Sequence, residues 1–118
     1  MKAAFPIDET KKQICVSFGR APYFLLCDLE TGNRKLETNP AADAQGGAGL
    51  KAAQFIVDSG AEVLVTVRCG ENAAQVFKAG GVSVFEAQGL DIDKNLSALE
   101  EKKLPELTRF HAGYHGLR

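Results

Sequence analysis

Glu62-Val63-Leu64-Val65-Thr66-Val67 is a run of apolar and β-branched side chains that passes directly into Arg68-Cys69-Gly70-Glu71-Asn72. A strand that is apolar in both directions is covered on both faces, as parallel strands are, and the turn after it opens a helix. That helix runs through Ala79, with Ala73, Val76, Phe77 and Gly80 on one face. Gly80-Gly81 ends it, and Val82 to Phe85 forms the next strand. Strands joined in this way lie parallel through a right-handed crossover.

The same pattern extends upstream. Gly46-Gly47-Ala48-Gly49 leads into a helix from about Leu50 to Ser59, in which Leu50, Ala53, Ile56 and Val57 recur at helical spacing and Gly60 is the stop. Lys2 to Phe5 predicts a first strand closed by Pro6, and Ile14 to Phe18 a brief strand or extended loop. Tyr23 to Leu29 is apolar enough for the sheet interior, Thr31-Gly32-Asn33 signals a hairpin, and Arg34 to Thr38 returns as a polar edge strand. Downstream, Asp91 or Asp93 caps a last helix carrying the stripe Ile92, Leu96 and Leu99, and Pro105 ends it. The order β-β-β-α-β-α-β-α predicts a three-layer α/β fold: a mixed five-stranded sheet with helices on its faces, strands three, four and five running parallel to strand one. One domain over residues 1–104 and a flexible tail over 105–118 complete the expected organisation.

Composition narrows the function classes. The chain has 118 residues, 45% of them hydrophobic and 25% charged, which suits one globular core. Fourteen Lys and Arg against 15 Asp and Glu leave a net charge of -1, so no basic field exists to hold a nucleic-acid backbone. No apolar run approaches the roughly 20 residues of a membrane span. Pro6 and Asp8 stand where the apolar core of a signal peptide would continue, so a soluble, cytoplasmic protein is expected. Cys15, Cys27 and Cys69 are odd in number and lack a C-x-x-C pair, which fits neither a disulfide framework nor a zinc finger.

In an open α/β sheet, ligands bind beyond the carboxyl ends of the parallel strands. Here that edge collects Asp8, the segment Phe18 to Pro22, Asn39, Gly46 to Gly49, Cys69 to Asn72 and Ala87-Gln88-Gly89. Two of these loops deliver helix N-termini, whose free N–H groups favour anions. Gly46 to Gly49 either serves that purpose or only lets the chain turn; it is neither G-x-G-x-x-G nor a P-loop. Arg20 is either a handle for an anion or a solvated loop charge. Cys69, at the mouth of a helix, is either a dipole-stabilised thiolate or a structural thiol. His111 and His115 lie in a Gly-rich tail that is either mobile or closes over a bound metal species. No G-x-S-x-G elbow, H-E-x-x-H pair or set of carboxylates for two metals is present, so the expectation is a non-catalytic protein.

Six segments, taken in order, carry a family resemblance: Met1-Lys2-Ala3-Ala4-Phe5-Pro6-Ile7-Asp8, Phe18-Gly19-Arg20-Ala21-Pro22-Tyr23-Phe24, Glu30-Thr31-Gly32-Asn33, Gly47-Ala48-Gly49 with Ala52-Ala53-Gln54, Gly70-Glu71-Asn72-Ala73, and Ala79-Gly80-Gly81-Val82-Ser83-Val84-Phe85. Together, over about residues 1 to 100, they resemble the dinitrogenase iron-molybdenum cofactor biosynthesis family, small accessory proteins of nitrogenase cofactor assembly. The resemblance implies a ribonuclease H-like fold and a role in binding or carrying an iron-molybdenum-sulfur cluster or a related metal-sulfur precursor. Its partners would be that cargo and cofactor-assembly proteins, with no nucleic acid and no membrane. Ser17 stands where the family often has a histidine, and Arg68-Cys69 where it often has a small or polar residue before the glycine. The expected cofactor-binding residues are Arg20, Asn39, Gly47, Gly49, Cys69, Gly70 and Asn72, with Cys69, His111 and His115 as candidate metal ligands. A protein-interaction or regulatory module and a small-anion-binding domain are the alternatives.

Overall fold

A computed structural model describes residues 1–108 and 110. Its elements are β1 (Lys2–Ile7), β2 (Tyr23–Asp28), β3 (Arg34–Thr38), α1 (Ala48–Asp58), β4 (Val63–Thr66), α2 (Glu71–Gly80), β5 (Ser83–Glu86) and α3 (Ile92–Glu100). The strands form one sheet in the order β3-β2-β1-β4-β5. β1 and β2 pair antiparallel, as do β2 and β3, whereas β1–β4 and β4–β5 are parallel. This is the mixed five-stranded α/β architecture expected from the element order.

Alternation along the strands splits the core in two. Ala4, Phe24, Leu64 and Val84 join Ala52, Ala53 and Ile56 of α1 and Ala73 and Phe77 of α2. On the other face Phe5, Ile7, Leu25, Cys27 and Val65 join Leu99 of α3. Two helices therefore cover one face and one covers the other. Every residue of β1 from Ala3 to Ile7 is buried, because this strand is paired on both sides and covered on both faces.

Local details depart from expectation for identifiable reasons. β1 does not end at Pro6 but continues to Ile7. Parallel pairing to β4 covers only Ala3↔Val63 and Ala4↔Leu64, so the donor Pro6 lacks is not needed there. Beyond that point Pro6 O accepts from Cys15 N at 2.7 Å, Ile7 bridges Ile14 and Ser17 bridges Arg68. The segment from Ile14 to Ser17 is thus an extended filler between the carboxyl ends of two diverging strands. α1 starts two residues earlier than expected, and its buried face is Ala48, Ala52, Ala53 and Ile56, leaving Leu50 44% exposed. α3 stops at Glu100 rather than at Pro105: Lys102 turns at φ 60°, with Lys102 N on Leu99 O and Lys103 N on Ala98 O. Its stripe also contains Asn95, 1% exposed, whose side chain bonds the backbone of Gln88, Gly89 and Asp91.

The chain stays engaged past residue 104. Glu86 N donates to Pro105 O at 2.8 Å and Leu107 N to Val84 O at 3.0 Å, so this stretch lies along the outer edge of β5 with Leu104 and Leu107 buried. The expected tail from 105 therefore begins as an ordered edge segment; His111 and His115 lie outside the described residues.

α1 and α2 pack tightly at Gly80, where a Cβ would stand 2.7 and 2.8 Å from the two methyls of Val57. Gly80→Ala is expected to cost about 1–2 kcal/mol through overpacking, in spite of alanine's better helix propensity. Val57→Ala in the same chain should recover most of that loss, as read from urea unfolding midpoints.

Candidate functional site

The divergence of β1 and β4 creates a crevice at the point where the sheet's connections change direction, β1 leading toward β2 and β4 toward β5. Loops from both sides close around it as a cleft of ≈ 1360 Å³, larger than the roughly 300–1,000 Å³ usual for a small organic ligand. Three segments supply most of its wall: Val16 to Arg20, Gly46 to Leu50 and Val67 to Ala73.

The first segment is held from below. Phe18, 2% exposed, packs its ring 5.4 Å from Phe24 and edge-on to Phe77 at 5.2 Å. Gly19 lies so close to α1 that a Cβ there would meet Gly49 Cα at 3.2 Å, which explains a glycine at this position. Arg20 then reaches across, its Nη1 donating to Ala44 O in the loop before α1.

The other two segments are helix starts. α1 has Gly47 as N-cap, in the left-handed region at φ 68°, and α2 has Gly70. Neither receives a side-chain cap, and α1 has no acidic residue in its first turn, although Glu71 begins α2. The first-turn N–H groups have no acceptor within their helix and carry the positive end of its dipole. α3, away from the cleft, is capped conventionally by Asp91, whose Oδ1 accepts from Lys94 N at 2.8 Å.

Of the expected site residues, the structure gathers Arg20, Gly47, Gly49, Cys69, Gly70 and Asn72 around this cleft. It places Asn39 elsewhere. That side chain is 3% exposed behind the wall, with Nδ2 donating to Gly19 O (3.1 Å) and Ala21 O (2.8 Å) and Oδ1 accepting from Ala41 N (2.9 Å). Two charged cleft residues escaped sequence reasoning as site residues: Arg68, a second guanidinium just after β4, and Glu86, at the end of β5. Arg68 follows the buried run of β4 and Glu86 closes the adjacent parallel strand β5, and that place at the carboxyl ends of two parallel strands was the signal available.

Of the two readings open for Cys69, its environment favours the structural thiol. The residue is 1% exposed, its Sγ rests 3.5 Å from Gly70 O, and burial pushes the thiol up to about 12. Desolvation outweighs the helix dipole, so Cys69 is a neutral thiol at physiological pH. Burial also raises Cys27. No group of three or more His, Cys, Asp and Glu is placed to hold a metal ion among the described residues.

Three outcomes follow from these environments. Asn39→Ala would strand a buried carbonyl, a part-buried one and a buried amide, and is expected to lower stability by about 2–4 kcal/mol in chemical denaturation. Cys69 has a folded-state value raised above its unfolded value of 9.0, so its contribution is intact below pH 9 and is lost as pH rises toward about 12. Cys69→Ala should therefore show a shallower fall in stability over that window than the parent chain. At pH 8 a thiol reagent should leave Cys69 unmodified in the native protein.

Comparison with known proteins places these features in a family. The family model described as dinitrogenase iron-molybdenum cofactor matches residues 1–102. An uncharacterized protein of Methanocaldococcus jannaschii, MJ0580, is 31% identical over 107 residues, covering 88% of this chain and 89% of its own. The apo form of the orange protein from Desulfovibrio gigas superimposes with a TM-score of 0.84 at 27% identity, over 91% of this chain and 92% of that one. The Thermotoga protein TM1290, provisionally named a NifB protein, gives 0.77 at 35% identity over 92% and 95% of the two chains. With a matching family model over nearly its whole length and the same fold as these relatives, the chain belongs to the dinitrogenase iron-molybdenum cofactor family.

Proposed function

We propose that this protein is a non-catalytic carrier of an iron-molybdenum-sulfur cluster or a related metal-sulfur precursor, built on a ribonuclease H-like scaffold and working in the cytoplasm with cofactor-assembly proteins as partners. The observation that carries this reading is the convergence of two uncapped helix N-termini with Arg20 and Arg68 on one broad cleft. Sulfide-rich molybdenum and iron clusters are anionic. Backbone N–H groups and guanidinium groups would hold such a cargo by charge and by hydrogen bonds to its sulfur atoms.

The neutral Cys69 fits a carrier that releases what it holds, since a thiolate–metal bond would have to be broken at delivery. Arg20 would exchange its bond to Ala44 O for the cargo, at little net cost in hydrogen bonds. His111 and His115 would supply imidazole nitrogen ligands to the cargo's metal ions. Glu86 is the one carboxylate on the cleft wall among the described residues, which offers no acid–base pair for catalysis. The exposed Val16 and Leu50 on the cleft wall favour a second reading, in which the same face docks a partner chain.

Anaerobic titration with tetrathiomolybdate and ferrous iron tests the carrier reading, through charge-transfer absorption and metal content after desalting. The parent chain is expected to retain metal stoichiometrically. Arg20→Ala should weaken retention roughly tenfold or more, the usual effect of losing a charged hydrogen bond. Cys69→Ala should retain as the parent does. No retention by the parent chain overturns the carrier reading in favour of the docking face.

A further inference from the structure

The two outer edges of the sheet differ. The edge of β5 is covered by residues 105–107, as described above. Along β3, no strand or bridge among the described residues pairs with the outer side. The β2–β3 register shows which groups lie free there. Asp28 N donates to Asn33 O at 2.9 Å and Asn39 N to Pro22 O at 3.0 Å, so Asn33 and Asn39 turn their backbone groups toward β2 and its flanks. Hydrogen-bonded pairs alternate along an antiparallel ladder, so Lys35 and Glu37 also point theirs inward. The N–H and C=O groups of Arg34, Leu36 and Thr38 therefore point outward.

The side chains on this edge have a matching symmetry. Leu36 lies opposite Leu25 and remains 39% exposed, whereas most large apolar side chains of the chain are buried. Lys35 and Glu37 flank it on the other face and pair with each other at 2.8 Å. We infer that β3 is an interface for a second copy of this chain, paired antiparallel about a two-fold axis through Leu36. In that register Leu36 meets Leu36 of the second copy, Lys35 meets its Glu37, Glu37 meets its Lys35, and Arg34 meets its Thr38. The outward groups of Arg34, Leu36 and Thr38 complete a ladder with their counterparts. Moving the axis by one residue sets Lys35 against Lys35 or Glu37 against Glu37, and like charges directly opposite are repulsive. The charges that elsewhere keep edge strands apart here select one register.

A ladder this short buries less than the roughly 1,200–2,000 Å² of a tight complex, so the pairing is weak and concentration-dependent. Sedimentation velocity of the full chain, from about 20 µM to about 1 mM, should show the mass rising from 12.6 kDa toward twice that value. Lys35→Glu and Glu37→Lys, each at a position on the sheet's outer strand, should weaken association roughly tenfold by setting like charges opposite at both symmetric positions. An equimolar mixture of the two variants should associate as the parent does, because the charges are complementary again between unlike chains. The mixture does not restore the pair within either chain, so this arm reads the interface alone. A parent chain that stays monomeric throughout overturns the proposal. So do single variants that associate as strongly as the parent, or a mixture no stronger than its components.

Discussion

The parting of β1 and β4 after two residue pairs is the constraint on which the rest of the molecule depends. Had the strands stayed paired to their ends, their carboxyl termini would form a closed surface. Instead Pro6, which cannot donate, leaves β1 free to turn its carbonyl to Cys15, and the segment from Ile14 to Ser17 fills the gap. That filler delivers Phe18 into the aromatic cluster, and Phe18 sets Gly19 against the first turn of α1. Each cleft wall therefore traces back to the same local divergence.

Electrostatics at the cleft follow from burial as much as from charge. Cys69 stands where a helix dipole would lower a thiol's pKa, yet the same residue is packed away from water, and the cost of burying a thiolate dominates. The positive groups on the cleft wall are the first-turn backbone N–H groups of α1 and α2 and the guanidiniums of Arg20 and Arg68.

Much of this was legible from the chain alone, where a pattern was dictated by burial on both faces or by turn chemistry. Val63 to Val67 and Tyr23 to Leu29 declared interior strands, Gly60 and Gly81 marked helix ends and adopt the positive φ such ends use, and the glycine loops fell on the ligand edge. Legibility failed where tertiary contacts decided. Leu50 fits a helical stripe by spacing, but small Ala48 and Ala52 are what the close packing of α1 accepts. Asn39 looked like a site residue, and nothing singled out Asn95, because nothing local shows that a buried loop needs an amide to satisfy its carbonyls. Glu106 and Leu107 follow a proline and a polar stretch, and their place beside β5 depends on an edge far away in sequence.

The covering of β5 by residues 105–107 has a further consequence for the state of the protein at high concentration. A sheet with two open edges can add copies at both ends and grow without limit, as fibres do. This sheet has one of its two edges occupied by its own chain, so contact through strand edges is an isologous event that uses up the remaining edge when it occurs. The short segment after α3 thereby acts as a chain terminator for edge-to-edge growth.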